Sequence, residues 1–271
     1  MMRRWSLGGV FGAVVLAVLV LAAIAAPWLA PGDPLDIVGR PLLPPFTDPR
    51  FPLGTDQLGR NVFAGLVHGT RVSLLVGLAA AAAAIGVGIL VGTVAGFIGG
   101  WTDEGLMRVT EAFQTIPTFL LALAMVSALG ASTINVVLAI AISSWPATAR
   151  LVRAEILSLK SRDYVDAARL AGMSRLGIAF REVLPGAVQP VLALIGITVG
   201  VAILVESSLA FLGLSDPNQV SWGGMVANGR AVLRTAPYLV AIPGAAVAVA
   251  VLSVSLVGDA MGRRLLVSRE G

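Results

Sequence analysis

The sequence predicts an all-α, polytopic membrane protein with about six transmembrane helices. Three observations carry that prediction. Hydrophobic residues make up 57% of the 271 and charged residues only 13%, where a soluble domain carries about 25% charged. Uncharged runs long enough to cross a bilayer recur along the chain. Between them, Lys and Arg fall mostly on alternate segments. Cysteine is absent and His68 is the single histidine. That excludes disulfides and thiolate chemistry, and scattered carboxylates with one histidine make no metal cluster. A Ser-His-Asp site would have to use His68, and no G-x-S-x-G elbow accompanies it. His68 is expected to be structural or interfacial, with no catalytic residue and no metal.

The first run is Leu7 to Ala26, behind Arg3 and Arg4. Ala23-Ile24-Ala25 resembles a signal-peptidase site. Signal-peptide cores, however, span only about 7–15 residues, and further spans follow, so a retained helix is expected. The second run, Val72 to Trp101, carries Gly88, Gly92, Gly96 and Gly100 at four-residue intervals. That places them on one helix face and predicts close helix packing. The uncharged stretch Ala112 to Ala149 is too long for one crossing. Turn-forming residues at Gly130 to Asn135 divide it into a hairpin, Phe113–Leu129 and Ile134–Ala149, with Pro117 and Pro146 expected to kink or end the arms. A fifth span fits Gly186–Val205 and a sixth Thr235–Val257, with Pro237 and Pro243 near its start. The chain thus divides into 1–71, a helix plus a proline-rich arm, and 72–271, a five-helix core with a loop at 150–185 and a segment at 206–236. Within that segment a short helix is expected through Leu209–Leu212, then a turn at Asp216-Pro217. Trp222 suits a membrane interface.

Six spans put both termini on one side. With the N-terminus in the cytoplasm, the inner segments hold 13 Lys and Arg and the outer segments, though long, hold 6. This is the positive-inside asymmetry. It accounts for a pI near 10.6 without nucleic acid and places the loop at 150–185 in the cytoplasm. Glu111, Glu206 and Asp259 lie near span ends and are expected to be terminus or interface charges.

The segment 163–185 is a polar island. Tyr164, Ala167, Ala168 and Ala171 follow the i, i+3, i+4, i+7 spacing of one helix face, with Asp163, Asp166 and Arg169 off it. Gly172 suits the positive φ just past a helix end, and Ser174 suits a second N-cap. Leu176, Ala179, Phe180 and Val183 repeat the spacing up to Leu184-Pro185. Two short amphipathic helices at a glycine bend are therefore expected. They fit a solvated loop, a pair lying on an anionic leaflet through Arg150, Arg153, Lys160 and Arg162, or a plug docked into a soluble partner. Alanines on the stripe favour close docking.

"DAARLAG" followed after nine residues by "EVLP" resembles the cytoplasmic loop signature of ABC importer permeases, EAA-x3-G-x9-I-x-LP. It maps onto Asp166, Ala167, Ala168, Gly172, Leu184 and Pro185. Asp166 stands for the usual Glu, and Glu182 for the usual Ile or His. "FPLGTDQLGRNVFAGLVHGTRVSL" (51–74), "GGWTDEGLMRVTEAFQTIPTFLLA" (99–122), "SLAFLGLSDPNQVSWGGMVANGR" (208–230) and "LVGDAMGRRL" are similar to the peptide/nickel, DppC/OppC-like permeases. The likeness covers nearly the whole chain from about residue 50.

The resemblance implies a type I importer permease with its coupling helices between the fourth and fifth spans. Tyr164 and Leu176 join the motif residues as candidate ATPase contacts. It implies a heterodimer with a homologous second permease, two P-loop ATPase subunits or domains, and an extracytoplasmic substrate-binding protein. ATP and magnesium belong to the ATPases. Lys160-Ser161 is preceded by Leu159 and Ala154 where a P-loop needs glycines, so this chain is expected to bind no cofactor. Gly54, Thr55, Asp56, Gly59 and Arg60 are expected to be ordered and to brace the first span or meet the binding protein; Leu212 and Trp222 are expected at an outer gate. Peptides are the expected cargo, with nickel complexes or other small solutes as alternatives. A gradient-driven carrier would need a midplane carboxylate or broken helices in repeated halves, and neither stands out. A membrane scaffold that merely recruits a partner is the third class.

Overall fold

The computed structural model describes residues 7–267, with side chains up to residue 263. Arg3, Arg4 and Arg269, used in the charge count, lie outside them, as does the Arg264 side chain. The chain folds as α1 (Leu7–Leu29), α2 (Val62–Ile98), α3 (Gly100–Thr115), α4 (Thr118–Leu129), α5 (Thr133–Leu159), α6 (Asp163–Leu170) and α7 (Arg175–Gly177). A π-turn over Ile178–Val183 leads into α8 (Leu184–Phe211), followed by α9 (Trp222–Gly229) and α10 (Tyr238–Val267). Five helices are long and apolar enough to cross a membrane, and α3 with α4, bent by 85°, supplies a sixth if counted as one span.

Differences from the sequence reading have local causes. α2 begins at Val62 rather than Val72, because Asn61 caps it by accepting from the amides of Phe63 and Ala64 at 3.0 and 3.4 Å. Its polar first turns are satisfied, with His68 Nε2 2.9 Å from the Ala30 carbonyl oxygen. The division at residue 71 therefore falls inside a helix. Pro117, which has no N–H to continue α3, separates α3 from α4. Phe113 accordingly belongs to α3, where its ring meets Trp145 edge-on at 5.5 Å. Pro146 is buried within α5 rather than ending it, and α5 continues past Ala149 to Leu159. The second island helix does not stop at Leu184-Pro185. Pro185 falls where the π-turn passes into α8, and helix runs on from Arg175 to Phe211. The short helix expected at Leu209–Leu212 is the end of α8.

The glycine stripe on α2 meets α5 closely. A Cβ on Gly88 would lie 2.5 Å from Thr148 Cβ, one on Gly92 2.5 Å from the Ala149 carbonyl oxygen, and one on Gly96 3.0 Å from Ile156 Cγ2. Gly100 leaves the stripe. It opens α3 at φ 57°, with nothing near its absent Cβ. α8 and α10 touch in the same manner through Gly196 and Gly258. Around α2 these contacts assemble one core with Val76, Ile140 and Leu209 and a second with Leu74, Ile203 and Trp222.

Candidate coupling surface and the opposite gate

At the loop end, α6 turns its expected stripe outward. Tyr164, Ala167 and Ala171 are exposed and Ala168 is half-buried, while Val165, which the stripe omitted, is fully buried. Val165 is the anchor. It packs with Val152, Ile156, Ile178, Val183 and Val191, so a small apolar core holds α6 onto α5 and α8. Asp166 is exposed and accepts from Arg169 Nη1 at 3.0 Å. The chain then reverses at Gly172, φ 81°, a left-handed value natural for glycine. The Ser174 hydroxyl caps the next turn by accepting from the Gly177 amide at 3.1 Å.

Beyond the bend the second stripe splits. Ala179 and Val183 are buried, whereas Leu176 and Phe180 are exposed at 70% and 56%. The wider π-turn between Ile178 and Val183 changes which positions share a face. Leu184 is half-buried and Pro185 exposed. The exposed apolar surface is therefore Tyr164, Leu170, Leu176 and Phe180, with Leu170 91% exposed and unsuspected from the pattern. Three of the four basic residues that would have served the anionic-leaflet alternative bond within the chain. Arg153 grips Asp103 on α3 through Nε–Oδ1 and Nη2–Oδ2 at 2.5 and 2.7 Å, and Arg150 donates to Gln114 at 2.7 Å. Lys160 donates to the Gly96 carbonyl at 2.8 Å. These bonds fasten α5, and through it the loop, to α2 and α3.

The arm end is built differently. Thr55 is fully buried. Its hydroxyl donates to the Arg40 carbonyl and accepts from the Leu43 amide at 2.9 Å. The Tyr238 hydroxyl lies 2.9 and 2.8 Å from the carbonyl oxygens of Leu43 and Thr55. Gly54 and Gly59 have positive φ and press against the carbonyls of Leu43 and Gly39, where no Cβ fits. Asp56 Oδ1 accepts from the amides of Leu58 and Arg60, and Arg60 is half-buried beside them. The proline-rich arm is thus an ordered strap. A cavity of about 340 Å³ lies between Asp56, Arg60 and the segment from Gly213 to Asn228.

Leu212 is half-exposed just past α8, but Trp222 is not at an interface. It is fully buried, with its indole N–H donating to the Leu66 carbonyl at 3.0 Å and its amide to Ser73 Oγ at 3.2 Å. The indole thus finds its polar partner on α2 instead of at a wet surface. Asp216 accepts from the amide and hydroxyl of Thr133 at 3.2 and 3.0 Å, tying the segment to the start of α5. Its carboxyl is held below the ordinary range, first by the Asn218 amide and then by Thr133. Glu206, expected to be a terminus or interface charge, lies in the last turns of α8, is 5% exposed and has no salt bridge among the described residues.

Comparison with known proteins agrees with this architecture. Residues 88–267 match the family described as binding-protein-dependent transport system inner membrane component. Residues 8–45 match the N-terminal TM domain of oligopeptide transport permease C. The chain is 39% identical over 260 residues to the di/tripeptide transport system permease protein DppC of Pseudomonas aeruginosa, covering 94% of this chain and 86% of that one. It is 38% identical over 262 residues to the nickel transport system permease protein NikC of Escherichia coli K12, covering 95% and 92%. In fold it is similar to a chain of the inward-facing MetNI methionine ABC transporter, with a TM-score of 0.62 at 16% identity over 74% of this chain and 96% of that one. Six apolar helical segments, a glycine-bent loop with an exposed apolar face and a matched family model over most of its length have one reading: the chain belongs to the binding-protein-dependent transport system inner membrane components, the permease subunits of ABC importers.

Proposed function

We propose that this chain is half of the translocation pathway of an ATP-driven peptide importer, with both termini and the loop at 150–185 in the cytoplasm. The loop docks into one of two P-loop ATPase subunits or domains through Tyr164, Ala167, Leu176 and the neighbouring Leu170 and Phe180. Asp166, Ala168, Gly172, Leu184 and Pro185 shape that surface. A homologous second permease completes the pathway. An extracytoplasmic binding protein delivers cargo to the arm end, where Gly54, Thr55, Asp56, Gly59, Arg60, Leu212 and Trp222 form the strap and gate. ATP and magnesium act in the ATPases.

The observation that carries this reading is the pairing of an exposed apolar face with a firm anchor. Leu170 and Leu176 stand out at 91% and 70% exposure, while Val165 and Val183 beneath them are fully buried. Force applied to the exposed face therefore reaches α5 and α8 through a packed core rather than a loose loop. Binding of ATP draws the ATPases together, the loop follows, and the helices tilt. In this arrangement the chain converts motion and catalyses nothing itself. Peptide cargo is supported by the di/tripeptide relative; the nickel relative supports a metal complex as the second reading.

The test is uptake of a labelled dipeptide by cells carrying the chain with its partner subunits. An inactive ATPase abolishes uptake in an ATP-driven importer. Uptake that survives a dead ATPase and follows an ion gradient contradicts the proposal, and competition by nickel complexes without competition by dipeptides shifts the cargo.

A further inference from the structure

Three serines from three elements converge on one buried carboxyl. Ser207 Oγ donates to Glu206 Oε2 at 3.3 Å, and the Ser221 and Ser73 side chains lie close enough to act on the same carboxyl. The orientation of each hydroxyl follows from its neighbours. Ser73 Oγ already accepts from the Trp222 amide at 3.2 Å, and Ser221 Oγ from the Gly224 amide at 3.2 Å. Their hydroxyl hydrogens are therefore free to turn toward Glu206. Ser73 belongs to α2, Ser207 to α8 and Ser221 to the cap of α9. Ser73, Ser221 and Trp222 are 0%, 3% and 0% exposed.

We infer that Glu206 is the positioning residue of the outer gate, a buried carboxyl that works beside the Trp222 bonds to Leu66 and Ser73 to latch the segment carrying Trp222 onto α2 and α8. A buried carboxyl is costly unless polar groups meet it; Ser207 does so from α8 itself, whereas Ser73 and Ser221 do so only when α2 and α9 are packed on α8. Lifting α9 removes the Ser221 hydroxyl, uncovers Glu206 and withdraws the Trp222 amide from Ser73. Close packing reinforces the tie. A Cβ on Gly223 would lie 2.5 Å from Ser207 Cα, and one on Gly69 3.1 Å from Trp222 Cδ1. The function of the latch rests on the importer reading above; its existence does not.

The test uses the absence of cysteine from the sequence. Ala210, 1% exposed, lies under α9, its Cβ 2.9 Å from where a Gly223 Cβ would be. In the assembled complex in membranes, Ala210→Cys is exposed to a membrane-impermeant maleimide. With Glu206 intact, labelling at rest is slow, and ATP plus the binding protein accelerates it. Glu206→Leu raises the resting rate about tenfold, a loss of about 1.4 kcal/mol of closure. Glu206→Gln, which still accepts through its amide oxygen, stays near the parent rate. Resting labelling of the Leu variant at the parent rate overturns the inference, as does equal acceleration by Gln and Leu. If Glu206→Leu fails to assemble, Ser221→Ala replaces it, with an intermediate rate expected and the parent rate overturning the latch. Acceleration by the variants without any response to ATP and binding protein upholds the latch and sinks the importer reading.

Discussion

The two ends of the helix bundle solve opposite problems. At the arm end, side chains and glycines are consumed inward: Thr55, Ser73, Glu206 and Trp222 are buried and bonded across elements far apart in sequence. At the loop end, α6 is held by one fully buried valine and presents Tyr164 and Leu170 to the outside, beside Leu176 of α7 and Phe180 of the π-turn. A seal needs satisfied polar groups and close backbone approach. A handle needs a free apolar face on a firm root. The long helices α2, α5 and α8 join the two ends, and in the proposed function they carry to the arm end what the loop receives.

The comparison breaks most completely if the shared helices come apart. Gly92→Leu drives a side chain into the Ala149 carbonyl, which a Cβ alone would approach to 2.5 Å. Overpacking of this kind costs about 1–3 kcal/mol or more. The expected result is loss of the folded chain from membranes, measured by yield and by thermal unfolding in detergent. Gly105→Leu, where nothing lies near the absent Cβ, serves as the tolerated control. Next comes the handle. Gly172→Pro cannot take φ 81°, and it should abolish uptake while the spans still assemble. Gly172→Ala meets no neighbour and carries only the left-handed backbone cost of about 1–2 kcal/mol, so partial uptake is expected.

These two glycines also show what the sequence discloses. The four-residue spacing of Gly88, Gly92 and Gly96 announces their packing, and a glycine after an amphipathic stretch announces the bend. Periodicity is local, and so is its evidence. Hydropathy closes the fourth span at Arg150, because nothing within that stretch reveals that Arg153 meets Asp103 and Lys160 meets Gly96. For the same reason the spacing places Trp222 at a membrane interface: its partners, Leu66 and Ser73, lie in another element. The handle was legible in outline, since its apolar stripe was visible; which side faced outward was set by Val165 and by the π-turn, neither of which the spacing marks.

Smaller effects sharpen the contrast. Asp103→Ala leaves Arg153 unpaired beside α3. A hydrogen bond to a charged group contributes about 1.5–3 kcal/mol, and the low end is expected because the Arg153 side chain is 34% exposed. Thermal unfolding should register this, with coupling of uptake to hydrolysis weakened more than folding. The smallest effect concerns Asp216. Because its folded carboxyl titrates below 3.8, the stability it adds is complete above that value and is lost as pH falls through the lowered one. Gate protection measured at Ala210→Cys should thus be weakened by Asp216→Asn near neutrality, and the difference should vanish in strong acid, where the parent has lost the Asp216 share.

The central claim is that the exposed face of the loop meets an ATPase. Leu176→Cys gives the chain one thiol at a 70% exposed position. In membranes containing all subunits, a short thiol-directed crosslinker should join it to an ATPase subunit, and ATP binding should change the yield. Crosslinking of Leu176→Cys to lipid or to nothing, while ATPase subunits are present and active, contradicts the account.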